Sequence, residues 1–212
     1  MKFKLRMQRA VLGLATAILA LSVAPGVMAA KLVNQNLTQL IADSQTIIAG
    51  TVQNVSDGIS PDGIPYTEVS IAISSTAKGA AKDQEVYTFR QFGLLEPREL
   101  ENGRTYLGVT PEGFARWQEG ETVMAFLHKP ASMTGLQTTA GMAQGKLVLR
   151  NGYFMDEFNN AGLFEDVEID RDLLTDAQRN MLANPGPAEA GALMDLVARA
   201  VAEGWIESGE MR

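Results

Sequence analysis

The sequence predicts a mainly β fold: a small antiparallel barrel or sandwich with a short N-terminal helix and a C-terminal helical segment. Three observations predict it. Between residues 45 and 170, apolar and polar side chains alternate in short runs, the period of half-buried strands. Glycines and turn dipeptides break those runs every ten to fifteen residues, the spacing of small all-β domains. Helical spacing of apolar residues is found on either side of that stretch, over residues 36–44 and again after Asp170.

The chain opens on a segment of a different kind. Lys2, Lys4, Arg6 and Arg9 precede an apolar run over residues 10–23, Pro25-Gly26 breaks it, and small residues follow at Ala29 and Ala30. This is the pattern of an export signal over residues 1–30, with cleavage expected after Ala29 or Ala30. The run is short for a bilayer span of about 20 apolar residues, and no second such run follows. The expected mature protein is periplasmic or secreted, with no membrane association after signal removal. Two further regions are expected, a β domain over residues 31–170 and a helical segment over residues 171–212.

Each element follows from local chemistry. Residues 36–44 (NLTQLIADS) place Leu37, Leu40 and Ile41 on one helical face behind an Asn36 cap. Residues 45–55 (QTIIAGTVQNV) are β-branched and small, with Gly50 where a bulge or close backbone approach is expected. In residues 66–76 Thr67, Val69, Ile71 and Ile73 form one face and Glu68, Ser70 and Ser74 the other. Residues 85–92 alternate Val86, Thr88, Arg90 and Phe92 against Tyr87, Phe89 and Gln91. Residues 93–120 form a long connection rich in Gly and Pro, the natural place for a binding loop. Strands are expected at 121–129 and 146–150, with a return through Asn151-Gly152 into 153–157 and a further alternating stretch at 163–169. Helices are expected at 175–182, behind Thr175, and at 188–203, ended by Gly204.

Composition narrows the function classes. Without residues 1–30 the chain keeps 14 basic and 25 acidic residues, a net charge of −11. That sign disfavours nucleic acid and anionic lipid as partners, so a protein partner is expected. Cysteine is absent and histidine occurs once, at His128, which excludes thiol chemistry and an ordinary His/Cys zinc site. No G-x-S-x-G elbow, phosphate loop or dinucleotide fingerprint is present.

Four segments recur in a familiar order: Ser44-x-x-Ile47-Ile48-x-Gly50-x-Val52, Tyr66-Thr67 leading to Lys78-Gly79, Gly120-Glu121-x-Val123-x-x-Phe126-Leu127, and Gly141-x-x-Gln144-Gly145-Lys146-Leu147-x-Leu149. Over roughly residues 37–149 this order resembles exported bacterial proteins of uncharacterised function. More remotely it resembles the oligomer-binding (OB) barrel of netrin-like and metalloproteinase-inhibitor domains. The resemblance implies an OB-like barrel acting as a binding module. Such inhibitors chelate zinc through an N-terminal Cys, which this chain lacks, so zinc chelation does not carry over.

The candidate sites follow. Tyr106, Phe114 and Trp117 lie in the long connection and, with His128 at a strand end, form the expected binding set. Phe114 and Trp117 serve equally well as contacts or as anchors of that loop onto the core. Asp166, Glu168, Asp170 and Asp172 alternate with Val167, Ile169 and Arg171; in a strand they would share one face, where hard oxygens can recruit Ca²⁺, although a solvated face explains the spacing better. No other cofactor is expected. The first function expected is a non-catalytic module engaging an envelope or secreted protein, an exported protease being the specific case. A carboxylate-dependent hydrolase and a structural envelope component are the alternatives.

Overall fold

The computed structural model describes residues 34–79, 81 and 84–212 of the 212-residue chain. The expected export signal lies outside the described residues. What is described is mainly β: one seven-stranded antiparallel sheet, a two-stranded ribbon and a few helices.

Helix α1 (Leu37–Asp43) begins on the Asn36 cap, with Gln39 completing a capping box, and buries Leu37, Leu40 and Ile41. It delivers the chain into β1 (Thr46–Ile59), which returns as β2 (Pro65–Lys78) and then β3 (Val86–Phe92). The ribbon strands β4 (Arg98–Glu99) and β5 (Thr105–Tyr106) interrupt the long connection. Strand β6 (Thr122–Leu127) pairs with the first half of β1. A 3₁₀ turn at Met142–Gly145 leads into β7 (Lys146–Arg150), which turns at Asn151-Gly152 into β8 (Tyr153–Met155). Both turn residues have positive φ, 52° and 85°, as a tight hairpin of matching twist requires. After a 3₁₀ turn at Arg171–Leu173 come α2 (Asp176–Ala183), β9 (Ala188–Glu189), α3 (Ala190–Ala202) and α4 (Trp205–Ser208). The sheet order is β3-β2-β1-β6-β7-β8-β9.

Strand alternation sends neighbouring residues to two separate cores. Ile47 joins a cluster with Leu37, Phe126, Leu147, Phe154, Leu193 and Trp205, on the side covered by the helices. Its neighbour Ile48 joins Val69, Ile71, Phe89, Trp117, Val123 and Leu127 on the other side. Both faces of the sheet are therefore buried at its centre, along the first half of β1 and β6, whereas β3 and the far half of β1 keep one exposed face. The predicted bulge region in β1 is real: pairing with β2 slips between Ala49 and Gly50, and a Cβ on Gly50 would lie 2.1 Å from the Ala72 carbonyl oxygen. At the outer edge of β3, the Gln137 backbone N–H donates to the Arg90 carbonyl at 2.7 Å. Gln137 also accepts from the Tyr87 hydroxyl and donates to the His128 carbonyl, so it links β3 to the segment beyond β6.

Two expectations shift. Residues 163–169 form turns with one isolated bridge, Ile169 to Met211, instead of a strand. The reason is local, because Asn159, Asn160, Gly162 and Asp166 all adopt left-handed φ, which no strand accommodates. The last long helix starts at Ala190, since Ala188 and Glu189 pair with β8 as β9. The Glu189 carboxylate then accepts from the Gly191 and Ala192 N–H groups and caps α3.

Candidate functional site

Two surfaces stand out, one apolar and one charged. The apolar one lies at the far end of the β1–β2 hairpin, where the long connection folds back on itself. Gly93 adopts φ 107°, and a Cβ there would lie 2.4 Å from Thr110 Cα, so only glycine permits this approach. Leu94 and Val109 pair in parallel, with the Leu94 N–H donating to the Gly108 carbonyl and the Thr110 N–H to the Leu94 carbonyl. This closure brings Leu95 beside the chain that carries Leu107 and Val109. Phe92, Leu95, Leu107 and Val109 all stay exposed, Leu107 by 72%. Asp57 ties the tip to β1 through the Leu95 N–H, at 2.9 Å, and through the Arg98 guanidinium.

Of the four expected binding residues, Tyr106 lies within the stretch that carries this surface, while Phe114, Trp117 and His128 fall outside that stretch. Tyr106 is half-buried and donates its hydroxyl to the Gly63 carbonyl at 3.1 Å. Trp117 is only 5% exposed and packs edge-on against Phe89, ring centres 5.3 Å apart, so it anchors the loop onto the core. Phe114 is half-buried in the same crossing segment. His128 lies at the end of β6, with Nδ1 3.0 Å from the Asp43 carbonyl oxygen. The leucines of the tip went unread because an exposed leucine and a core leucine look alike in sequence.

Asp166, Glu168, Asp170 and Asp172 are all exposed and point to separate tasks. Glu168 pairs with Arg212 at 3.7 Å, and Asp170 accepts from the Asp172 N–H at the start of a 3₁₀ turn. Asp166 takes a left-handed φ of 54°. Among the described residues no group of three or more acids or histidines is arranged to hold a metal ion.

The charged surface is a cleft of about 440 Å³ between the segment around residues 115–121, β7 and the end of β8. Alternation builds one wall: Lys146, Val148 and Arg150 are every second residue of β7 and all line it. Lys146 is only 7% exposed, donates to Glu121 and to the Arg116 carbonyl, and sits 5.1 Å from the centre of the Trp117 ring. Burial pulls its ammonium below the ordinary lysine range, against the opposing pull of Glu121.

The other wall carries Asp156, 8% exposed. Its Oδ1 accepts from the N–H groups of Phe158 at 2.8 Å and Asn160 at 2.6 Å. Its Oδ2 is buried without a partner among the described residues. Burial pushes this carboxyl above the ordinary aspartate range, and the two backbone N–H groups only partly offset it. Arg116, Glu157 and Asn159 complete the rim. The period-2 pattern of KLVLR was the available sequence signal for this wall, but its facing wall depends on contacts that spacing does not report.

Comparison with protein families, curated proteins and solved structures finds no match to this chain. Among the described residues no helix is long and apolar enough to cross a membrane.

Proposed function

We propose that the chain is an exported, non-catalytic binding module with an OB-like barrel core, and that it engages an envelope or secreted protein through the tip formed by residues 92–109. The observation that carries the reading is the gathering of Phe92, Leu95, Leu107 and Val109, all exposed, on a connection closed by the Leu94–Val109 pairing. Exposed apolar side chains on a pinned loop are a usual feature of protein contacts. The barrel reading draws support from the Gln137 link between β3 and the segment beyond β6. The rim sets the partner's chemistry: Glu96, Glu99 and Glu101 outnumber Arg98 and Arg104, and Arg98 is already tied to Asp57. The partner surface is therefore apolar at its centre and basic around it.

The competing hydrolase reading needs two carboxylates free to act across a bond. The cleft does gather Glu121, Asp156 and Glu157. Glu121 is committed to Lys146, however, and Asp156 Oδ1 to two backbone N–H groups, which favours holding a molecule over turning one over.

The test is a double substitution, Leu95→Asp with Leu107→Asp, in the full chain. Both side chains are exposed, so the melting temperature is expected to stay within about 2 °C of the parent. Crosslinking in the envelope fraction is expected to give a discrete adduct with the parent and none with the variant, and the purified partner is expected to bind only the parent. An adduct that survives both substitutions, or no adduct with the parent, removes the reading.

A further inference from the structure

We propose that the cleft beside β7 is a second site, for a small zwitterion such as a free amino acid or dipeptide, whose ammonium docks at Asp156 and whose carboxylate docks at Arg116 and Arg150. The site is distinct from the apolar tip and does not depend on it.

Three observations converge. The first is size: about 440 Å³ falls within the range of small-molecule sites and holds an amino acid or dipeptide comfortably. The second is the unmet acceptor. Asp156 lines the cleft, is more than nine-tenths buried, and leaves Oδ2 shielded from water without any donor among the described residues. A buried carboxylate oxygen without a donor costs free energy that a ligand ammonium would recover. The third is the pair of guanidiniums. Arg116 and Arg150 line the same cleft, and neither forms an ion pair among the described residues, whereas six other cationic side chains do. A guanidinium presents paired N–H donors that match a carboxylate.

The internal pairing explains why the ligand must carry both charges. Lys146 and Glu121 neutralise each other at the cleft wall and present no net charge to a ligand. An anion alone would satisfy Arg116 and Arg150 but leave Asp156 unmet and repel it. A cation alone would satisfy Asp156 and leave the guanidiniums bare. A molecule with an ammonium and a carboxylate meets both ends.

The experiment uses the full chain and four probes at ~10 mM, a level that detects even millimolar affinity. L-alanine and L-alanyl-L-alanine carry both charges, succinate carries only carboxylates, and 1,4-diaminobutane only ammoniums. At least one zwitterion is expected to raise the melting temperature and to give a saturable binding isotherm, with neither single-charge probe doing so. Arg116→Gln with Arg150→Gln is expected to weaken binding at least tenfold; both side chains are exposed, so the fold is kept. Asp156→Asn keeps an oxygen acceptor for the Phe158 and Asn160 N–H groups and is expected to weaken binding as much. Failure of both zwitterions to bind, an equal response to succinate or diaminobutane, or undiminished binding by the double arginine variant would each overturn the proposal.

Discussion

Asp156 sits in an environment at odds with its chemistry. An aspartate in water is ionised at neutral pH, yet burial here penalises the charged form more than the Asn160 and Phe158 N–H groups favour it. The folded state therefore holds this proton at pH values where the unfolded chain has released it. The associated stabilisation is fully present below the ordinary aspartate pKa and is lost as pH rises through the raised folded value. Asp156→Asn removes the titration while keeping the acceptor. Urea unfolding of parent and variant should show the difference between them moving in the parent's favour as pH falls from neutral toward about pH 4. A difference that stays constant across that range would mean that the folded environment leaves this carboxyl unshifted.

At the scale of elements, what was legible in the sequence is what is decided locally. Asn36 and Thr175 cap helices through capping boxes completed by Gln39 and Gln178, both three residues on. Asn151-Gly152 makes the hairpin between β7 and β8, and β7 spans the predicted residues without displacement. Gly50 is the sharpest instance, since a strand glycine marks either a bulge or a close approach and here it marks both. Its would-be Cβ meets backbone, the Ala72 carbonyl, which cannot rotate away as a side chain would. Gly50→Ala should therefore cost about 3 kcal/mol in chemical unfolding, and a loss below about 0.5 kcal/mol would mean that β1 and β2 separate easily. What was not legible depends on contacts across the chain. Glu189 could cap α3 only once β8 had drawn Ala188 and Glu189 into the sheet. The acids from Asp166 to Asp172 alternate as a strand would, but left-handed turns at Asn159, Asn160 and Gly162 direct the chain elsewhere. The cleft is the strongest case, because Arg116 and Glu121 meet Lys146 only through the crossing of the segment that carries Trp117.

For the molecule as a whole, the consequence of two cores on one sheet is that neither can melt alone. Ile47 and Ile48 are neighbours in β1 yet serve opposite clusters, and Met124 and Ala125 divide in the same way in β6. Losing either layer exposes one face of strands that the other layer needs, so the described region should unfold in one step. The two tryptophans of the sequence fall on opposite sides, Trp205 with the helices and Trp117 with the crossing segment, and each reports its own core. Trp117→Phe leaves only the helical side to fluoresce, and Trp205→Phe leaves only the other. Each substitution leaves an aromatic ring in a buried site and lowers stability by its own amount, so the comparison belongs within each variant, between fluorescence of the remaining tryptophan and far-ultraviolet circular dichroism. The two transitions should coincide within about 2 °C in both variants. A fluorescence midpoint more than about 5 °C from the dichroism midpoint in either one would mean that the helical layer and the Trp117 layer are separately cooperative, and that the shared strands do not couple them.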